Sequence, residues 1–178
     1  FFDEADAFED VGVQFHAGDW TGEVLTAAPV TVIDGNVSVG KISWDYDLGL
    51  LLITGDLRCE HIGRLGIDLV VGGDLIAKTL CLNTLNDHAL VVGGDLRCDY
   101  LAEFGCQVKV QGKITCPEVL SLMNEVVAGG GVQGKLIDGL RGEAVAQVLI
   151  PEALTADGFF DEDKFSSLVR AGRSPFKA

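Results

Sequence analysis

Along the middle of the chain apolar and polar positions alternate in short bursts, and each burst pivots on a glycine. LLITGDLRC (51–59), LVVGGDLIA (69–77) and LVVGGDLRC (90–98) are the clearest copies, with TVIDGNVSV (31–39) before them and VKVQGKITC (108–116) after. The pivots Gly35, Gly55, Gly73, Gly94 and Gly112 lie 20, 18, 21 and 18 residues apart. Strict alternation is the pattern of a strand with one buried face. A recurrence near this length marks stacked repeats, none of which buries its apolar face alone.

Aligned on the pivot, the apolar residues form columns. Four before it stand Thr31, Leu51, Leu69, Leu90 and Val108; two before it, Ile33, Ile53, Val71, Val92 and Val110. Two after it come Val37, Leu57, Leu75, Leu96 and Ile114; four after it, Val39, Cys59, Ala77, Cys98 and Cys116; seven after it, Ile42, Ile62, Leu80, Leu101 and Val119. In a solenoid each column becomes a ladder with steps of about 4.8 Å. The glycine suits a bend that needs either a positive φ or a close backbone approach. Unequal steps put the extra residues of long rungs at one corner.

Other repeat folds fit less well. A left-handed hexapeptide helix needs an apolar residue every six positions, but stepping from Val71 gives Ala77 and then polar Asn83. Helix-containing repeats need more room than HIGRLG or AKTLCLN provide. The pattern therefore predicts a mainly β fold, a β-solenoid of about five to six rungs over 30–138, with about three short strands per turn. The acidic, aromatic lead 1–29 is expected to cap the first rung. Gly134, flanked by Val132 and Leu136, is expected to pivot a degenerate sixth turn or to mark a linker. Spacing allows short helices at 118–126 and within GLRGEAVAQVLI. At the end of the 139–178 tail, Asp161 can N-cap a helix with Phe165, Leu168 and Val169 on its apolar face and Gly172 past its C-terminus. That helix is expected on the far end or flank of the solenoid.

Composition adds three constraints. Apolar residues make up 48% of 178 residues, enough for one continuous core. No apolar run is long enough for a membrane span. The chain opens on Phe1 rather than Met, which points to a start inside a longer polypeptide, and FFDEADAFED lacks the basic start and apolar stretch of a signal peptide. Cys59, Cys98 and Cys116 share an inward column with Val39 and Ala77, and Cys81 and Cys106 have no CxxC spacing. They read as buried thiols in a reducing cytoplasm, with no metal. Net charge is −14, from 27 acidic and 13 basic side chains. That sign excludes phosphate-led nucleic-acid binding. It serves solubility; alternatively it steers the chain toward a basic partner such as a nuclease toxin.

Candidate chemistry is sparse. One residue past the pivot stand Asn36, Asp56, Asp74, Asp95 and Lys113. Asp after Gly suits a bend by bonding its own backbone; alternatively Asp56, Asp74 and Asp95 bind a cation or a partner's arginines, with Arg58 and Arg97 partly neutralising the row. In the WDYDLG loop, Trp44 and Tyr46 lie beside Asp45 and Asp47, which is contact-surface chemistry; otherwise Trp44 covers the edge of its rung. Gly129 to Lys135 has P-loop spacing, but Leu136 replaces the Ser or Thr that holds magnesium. His16, His61 and His88 join no triad or metal motif, so no catalytic residue and no cofactor are expected.

The GDL-type rungs resemble the right-handed solenoids of the bactofilin (polymer-forming) type. Together with the tail LIPEALTADGFFDEDKFSSLVRAGRSPF they are similar to small bacterial immunity-type proteins encoded beside polymorphic toxins. The resemblance implies a right-handed coil and a cytoplasmic, non-enzymatic protein that neutralises a basic toxin. The alternative it implies is a scaffold that self-assembles through its solenoid ends. The lead and tail extensions favour a capped monomer or small homo-oligomer.

Overall fold

The computed structural model describes residues 12–44, 48–84 and 88–177. Each coil contributes one short strand and one longer, bent strand. The first coil holds β1 (Val13–Ala17) and β2 (Trp20–Ala27), the second β3 (Val30–Asp34) and β4 (Val37–Trp44). Next come β5 (Leu50–Ile53) and β6 (Leu57–Ile62), then β7 (Asp68–Val71) and β8 (Leu75–Asn83). The fifth coil has β9 (Ala89–Val92), with its long strand split into β10 (Leu96–Arg97) and β11 (Tyr100–Phe104). The sixth has β12 (Gln107–Val110) and β13 (Ile114–Ser121), the seventh β14 (Val126–Ala128) and β15 (Val132–Ile137). All strand ladders between coils are parallel, giving a seven-stranded sheet β1-β3-β5-β7-β9-β12-β14 and an eight-stranded one carrying the bent strands. The chain is a β-solenoid of seven turns.

The columns read from sequence are the registered ladders. Leu51 pairs with Leu69 and Leu69 with Leu90; Leu57 pairs with Leu75, and Leu75 with Leu96. These side chains meet in one core running the length of the coil. Pairing along the bent strands is interrupted five residues past the pivot, at Gly40, Glu60 and Lys78. That bend explains why the inward position moves from four to seven residues past the glycine. It also merges the expected second and third short strands into one.

The structure corrects three expectations. Residues 13–27, expected as part of a cap, form a full coil: β1 pairs with β3 and β2 with β4. The pivot of the last coil is Gly130 rather than Gly134, since the Gly130 N–H donates to the Gly112 carbonyl at 2.8 Å. The segment 118–126 is not helical; β13 runs to Ser121 and a turn leads into β14. With Gly18 at the first pivot, the steps are 17, 20, 18, 21, 18 and 18, and seven turns replace the five to six expected.

The tail lies along the flank. Two 3₁₀ turns, Gly142–Gln147 and Pro151–Ala153, precede α1 (Glu162–Arg170). Asp161 caps α1 by accepting from the Lys164 N–H at 3.1 Å. Gly172 (φ 71°) ends it, its N–H donating to Val169 and that of Arg173 to Leu168, a paired C-terminal closure. Phe165 and Leu168 pack with Val145, Leu149 and Phe176 on a second core. The solenoid side of that core is Cys81, Ala102 and Leu120, a column eight residues past the pivot that faces outward and would be wet without the tail. No helix among the described residues is long and apolar enough to cross a membrane.

Candidate functional site

The acidic row sits at the pivot corner between the two sheets, and its geometry is that of a backbone clamp. Asp19 Oδ1 accepts the Asn36 N–H at 2.8 Å, and Asn36 Oδ1 accepts that of Asp56 at 2.9 Å. Asp56 takes the N–H of Asp74 and Asp74 that of Asp95, both at 2.8 Å; Asp95 takes that of Lys113 at 2.9 Å. Each carboxylate thus bonds the coil that follows it rather than its own bend, as the sequence had suggested. Every Asp in the row spends Oδ1 on the backbone and keeps Oδ2 for other partners; Lys113 Nζ lies 3.8 Å from Oδ2 of Asp95.

Asn36 shows that the clamp does not need charge. We therefore expect Asp74→Asn to leave stability nearly unchanged, because Oδ1 still accepts. Asp74→Ala, which orphans the Asp95 N–H, should cost about 1 kcal/mol. Denaturant midpoints of the two variants check this.

Trp44 stands at the other end of β4, leading into the outer corner, and is half-buried against the solenoid core. The length of β4 therefore separates it from the acidic row, so Trp44 and Asp56, Asp74 and Asp95 do not form one patch. Asp45, Tyr46 and Asp47 lie outside the described residues. The Gly129 to Lys135 string connects β14 to β15, two strands, so no helix N-terminus is present to receive a phosphate. Among the described residues no group of three or more His, Cys, Asp or Glu is placed to hold a metal ion.

All five cysteines are free and buried. Burial pushes the thiols of Cys81 and Cys106 up to about 12. Cys98 is raised by its hydrogen bond with the Cys116 thiol and by burial, and Cys59 by burial. At pH 8 a thiol with a pKa near 12 is thiolate only about one part in ten thousand. Cys116 runs the other way, its thiol lowered by the hydrogen bond with Cys98, but it is fully buried. Inaccessibility of all five should leave a thiol-specific reagent almost no reactive cysteine in the native protein and five after unfolding, as an absorbance titration would show.

The two ends of the solenoid differ. At the first coil the inward positions hold Gln14, His16 and Trp20, and the His16 ring meets Trp20 edge-on at 4.9 Å. This plug is polar and aromatic. At the last coil the tail turns away to the flank and leaves a hollow of about 500 Å³, lined by Val126, Ala128, Val132 and Leu136 with Asn124, Asp138 and Arg141 at its rim. β14 and β15 each have one neighbour, so their outer edges are unpaired among the described residues.

One buried acid was not singled out in the sequence. Glu103 is fully buried at the end of β11 and gathers the corner between β13 and β14. Its Oε1 accepts the Gly105 N–H at 2.6 Å; Oε2 accepts those of Leu122 and Met123 at 3.1 and 3.2 Å, and the Asn124 N–H lies 3.1 Å from both oxygens. The signal available was one acid inside an otherwise apolar LAEFGC segment, followed two residues later by glycine.

No family model, curated protein or solved structure matches this chain.

Proposed function

We propose that this chain is a non-enzymatic scaffold that associates through its solenoid ends, the last coil of one copy stacking on the first coil of the next. The open, apolar last coil carries this reading. A terminal rung with unpaired strand edges templates further strands unless something covers it. Of the two places the sequence allowed for the tail helix, the far end and the flank, it takes the flank and leaves the end open. Because the two ends differ, the contact is head to tail, the class that propagates into open filaments. The Trp20–His16 plug and the hollow around Val132 are the complementary parts.

Light scattering against concentration tests it. The average mass should grow in the micromolar range, and Val132→Asp should hold the protein at monomer mass with an unchanged circular dichroism spectrum. A strictly monomeric wild type at about 100 µM would rule the stacking out.

The acidic row supports a second reading, an immunity-type protein that neutralises a basic toxin. The clamp leaves one oxygen of each carboxylate available on a rigid ladder, which lowers the ordering cost of binding. Asp56→Asn, Asp74→Asn and Asp95→Asn combined preserve the clamp and remove three charges. Co-purification with the product of the adjacent gene should then weaken and lose its salt dependence; a complex indifferent to salt would count against charge-led recognition.

A further inference from the structure

Although net charge is −14, five basic groups gather along one groove on the flank of the solenoid. Lys41, His61, Thr79 and Tyr100 are register neighbours on β4, β6, β8 and β11. The C-terminal end of α1 forms the opposite wall through Val169 and Arg170. Two hollows adjoin there and share His61 and Arg170. One, of about 380 Å³, is lined by Lys78, Thr79, Asp99 and Tyr100; the other, of about 430 Å³, by Lys41, Trp44 and Arg64. Both volumes fall in the small-molecule range of about 300–1,000 Å³.

Two independent observations point to an absent anion. Lys41, Arg64 and Arg170 make no side-chain hydrogen bond or ion pair within 4 Å among the described residues, in a protein with twice as many acids as bases. Thr79 is 4% exposed, and its hydroxyl has no hydrogen-bond partner. A buried hydroxyl is normally satisfied; this orphan lies just beneath the groove wall, where a ligand atom or water would meet it on a small shift of the wall. Among the described residues the acids nearby are fewer than the bases: Glu60 is taken by Lys78 at 2.6 Å, Asp99 lines the smaller hollow, and Glu162 acts on Arg64 from α1. His61 feels Arg170 as well: its proton affinity is lowered first by burial and then by Arg170, with Glu60 opposing and Lys78 adding a smaller push the same way as Arg170.

We infer that this groove binds a small phosphate-bearing molecule. Two guanidinium forks, an ammonium and a hydroxyl offer more donors than one carboxylate accepts, and a phosphate brings more acceptor oxygens to meet them. Trp44 and Tyr100 supply aromatic walls at the two ends for the rest of the molecule. The Val169 and Leu168 carbonyls at the end of α1 are occupied by the N–H groups of Gly172 and Arg173, which reduces the repulsion that a helix C-terminus offers an anion. This inference is independent of end-to-end stacking and uses a different surface.

The test is a titration of the full chain with inorganic phosphate and then pyrophosphate at constant ionic strength, followed by the ring signals of His61 and Trp44. Binding should saturate and raise the pKa of His61 while leaving His16 unmoved. Arg64→Gln and Arg170→Gln should each weaken binding about tenfold, and Thr79→Val severalfold, with the fold intact by circular dichroism. The absence of saturation below about 10 mM for either probe, or equal affinity in the arginine variants, overturns the assignment. So does a response to a peptide of aspartates and glutamates without a response to phosphate, which would give the groove to an acidic polypeptide.

Discussion

Replacing Gly73 by alanine is expected to destabilise the protein by about 3 kcal/mol, although the substitution adds one methyl group at a partly exposed corner. The reason is the distance between coils. A Cβ at Gly73 would fall well inside contact distance of Asp56 Oδ1 and 3.0 Å from the carbonyl carbon and oxygen of Gly55. The Asp56 oxygen cannot yield without loss, since it holds the Asp74 N–H at 2.8 Å. The backbone cannot yield either, because the Gly73 N–H donates to Gly55 at 2.9 Å and the Gly73 carbonyl accepts from Gly94 at 2.8 Å. Either the clamp breaks or two coils separate. In a solenoid, where each turn touches only its neighbours, separation divides the core. Gly63 is the control: a Cβ there meets nothing within 4 Å, so Gly63→Ala should be neutral or slightly stabilising through the unfolded chain. Guanidinium midpoints of the two variants make the comparison. A Gly73→Ala midpoint within 0.5 kcal/mol of wild type would show that the pivot does not set the spacing. Of the two reasons the sequence offered for glycine here, close approach is the operative one, since the pivots from Gly35 to Gly130 are absent from the positive-φ glycines; Gly18, at the first pivot, is the reverse case, with a positive φ and nothing within 4 Å of a Cβ.

The ladders were legible because each inward column repeats one kind of side chain at a fixed offset from a residue that cannot vary. The end coils were not, for a physical reason. A terminal coil has a neighbour on one side only, so its inward positions are not held to Leu and Val. Gln14, His16, Trp20 and Gly22 stand where inner coils carry apolar residues, and the first coil passed for a cap. At the other end three successive glycines hide which one is the pivot, and a register shift between Thr115 and Glu118 removes one position from the seventh coil. The mistaken helix at 118–126 has a related cause. Val119 is buried in the solenoid core, whereas Leu120 and Leu122 are buried in the tail-covered one, so apolar residues occur on both sides of the chain and alternation vanishes. The same outward column foretold the docking of the tail: it reads Ser43 and Gly63 in the early coils, then Cys81, Ala102 and Leu120 where α1 lies. Of the candidate site, the composition of the acidic row was readable, but its bond to the following coil depends on stacking register.

The second large effect is expected at Glu103, and it bears on the open end. Glu103→Ala should cost about 3–5 kcal/mol, because three backbone N–H groups, of Gly105, Met123 and Asn124, lose their acceptor in a buried corner, while the Leu122 N–H keeps only the main-chain carbonyl of Glu103 at 3.1 Å. Glu103→Gln keeps the shape and one acceptor oxygen but turns an amide NH₂ toward donors, so it should cost about 2–3 kcal/mol. Ser121 Oγ lies 3.1 Å from the carboxylate and 2.6 Å from the Asn124 carbonyl, so Ser121→Ala removes a lesser contact and should cost about 1 kcal/mol. The ranking Ala, Gln, then Ser121→Ala separates a backbone organiser from a space-filling residue, for which Gln would be nearly neutral. The corner that Glu103 holds runs directly into β14, one wall of the hollow in the last coil. Hydrogen exchange at Val126–Ala128 should therefore accelerate in Glu103→Gln while the ladder around Leu69 and Leu90 stays protected. If stacking runs through that coil, the same variant should lower the average mass in light scattering even at temperatures where it remains folded. Unchanged exchange at β14 would mean that the last coil is held by its pairing with β12 alone, and that this buried carboxylate organises its own corner and no more.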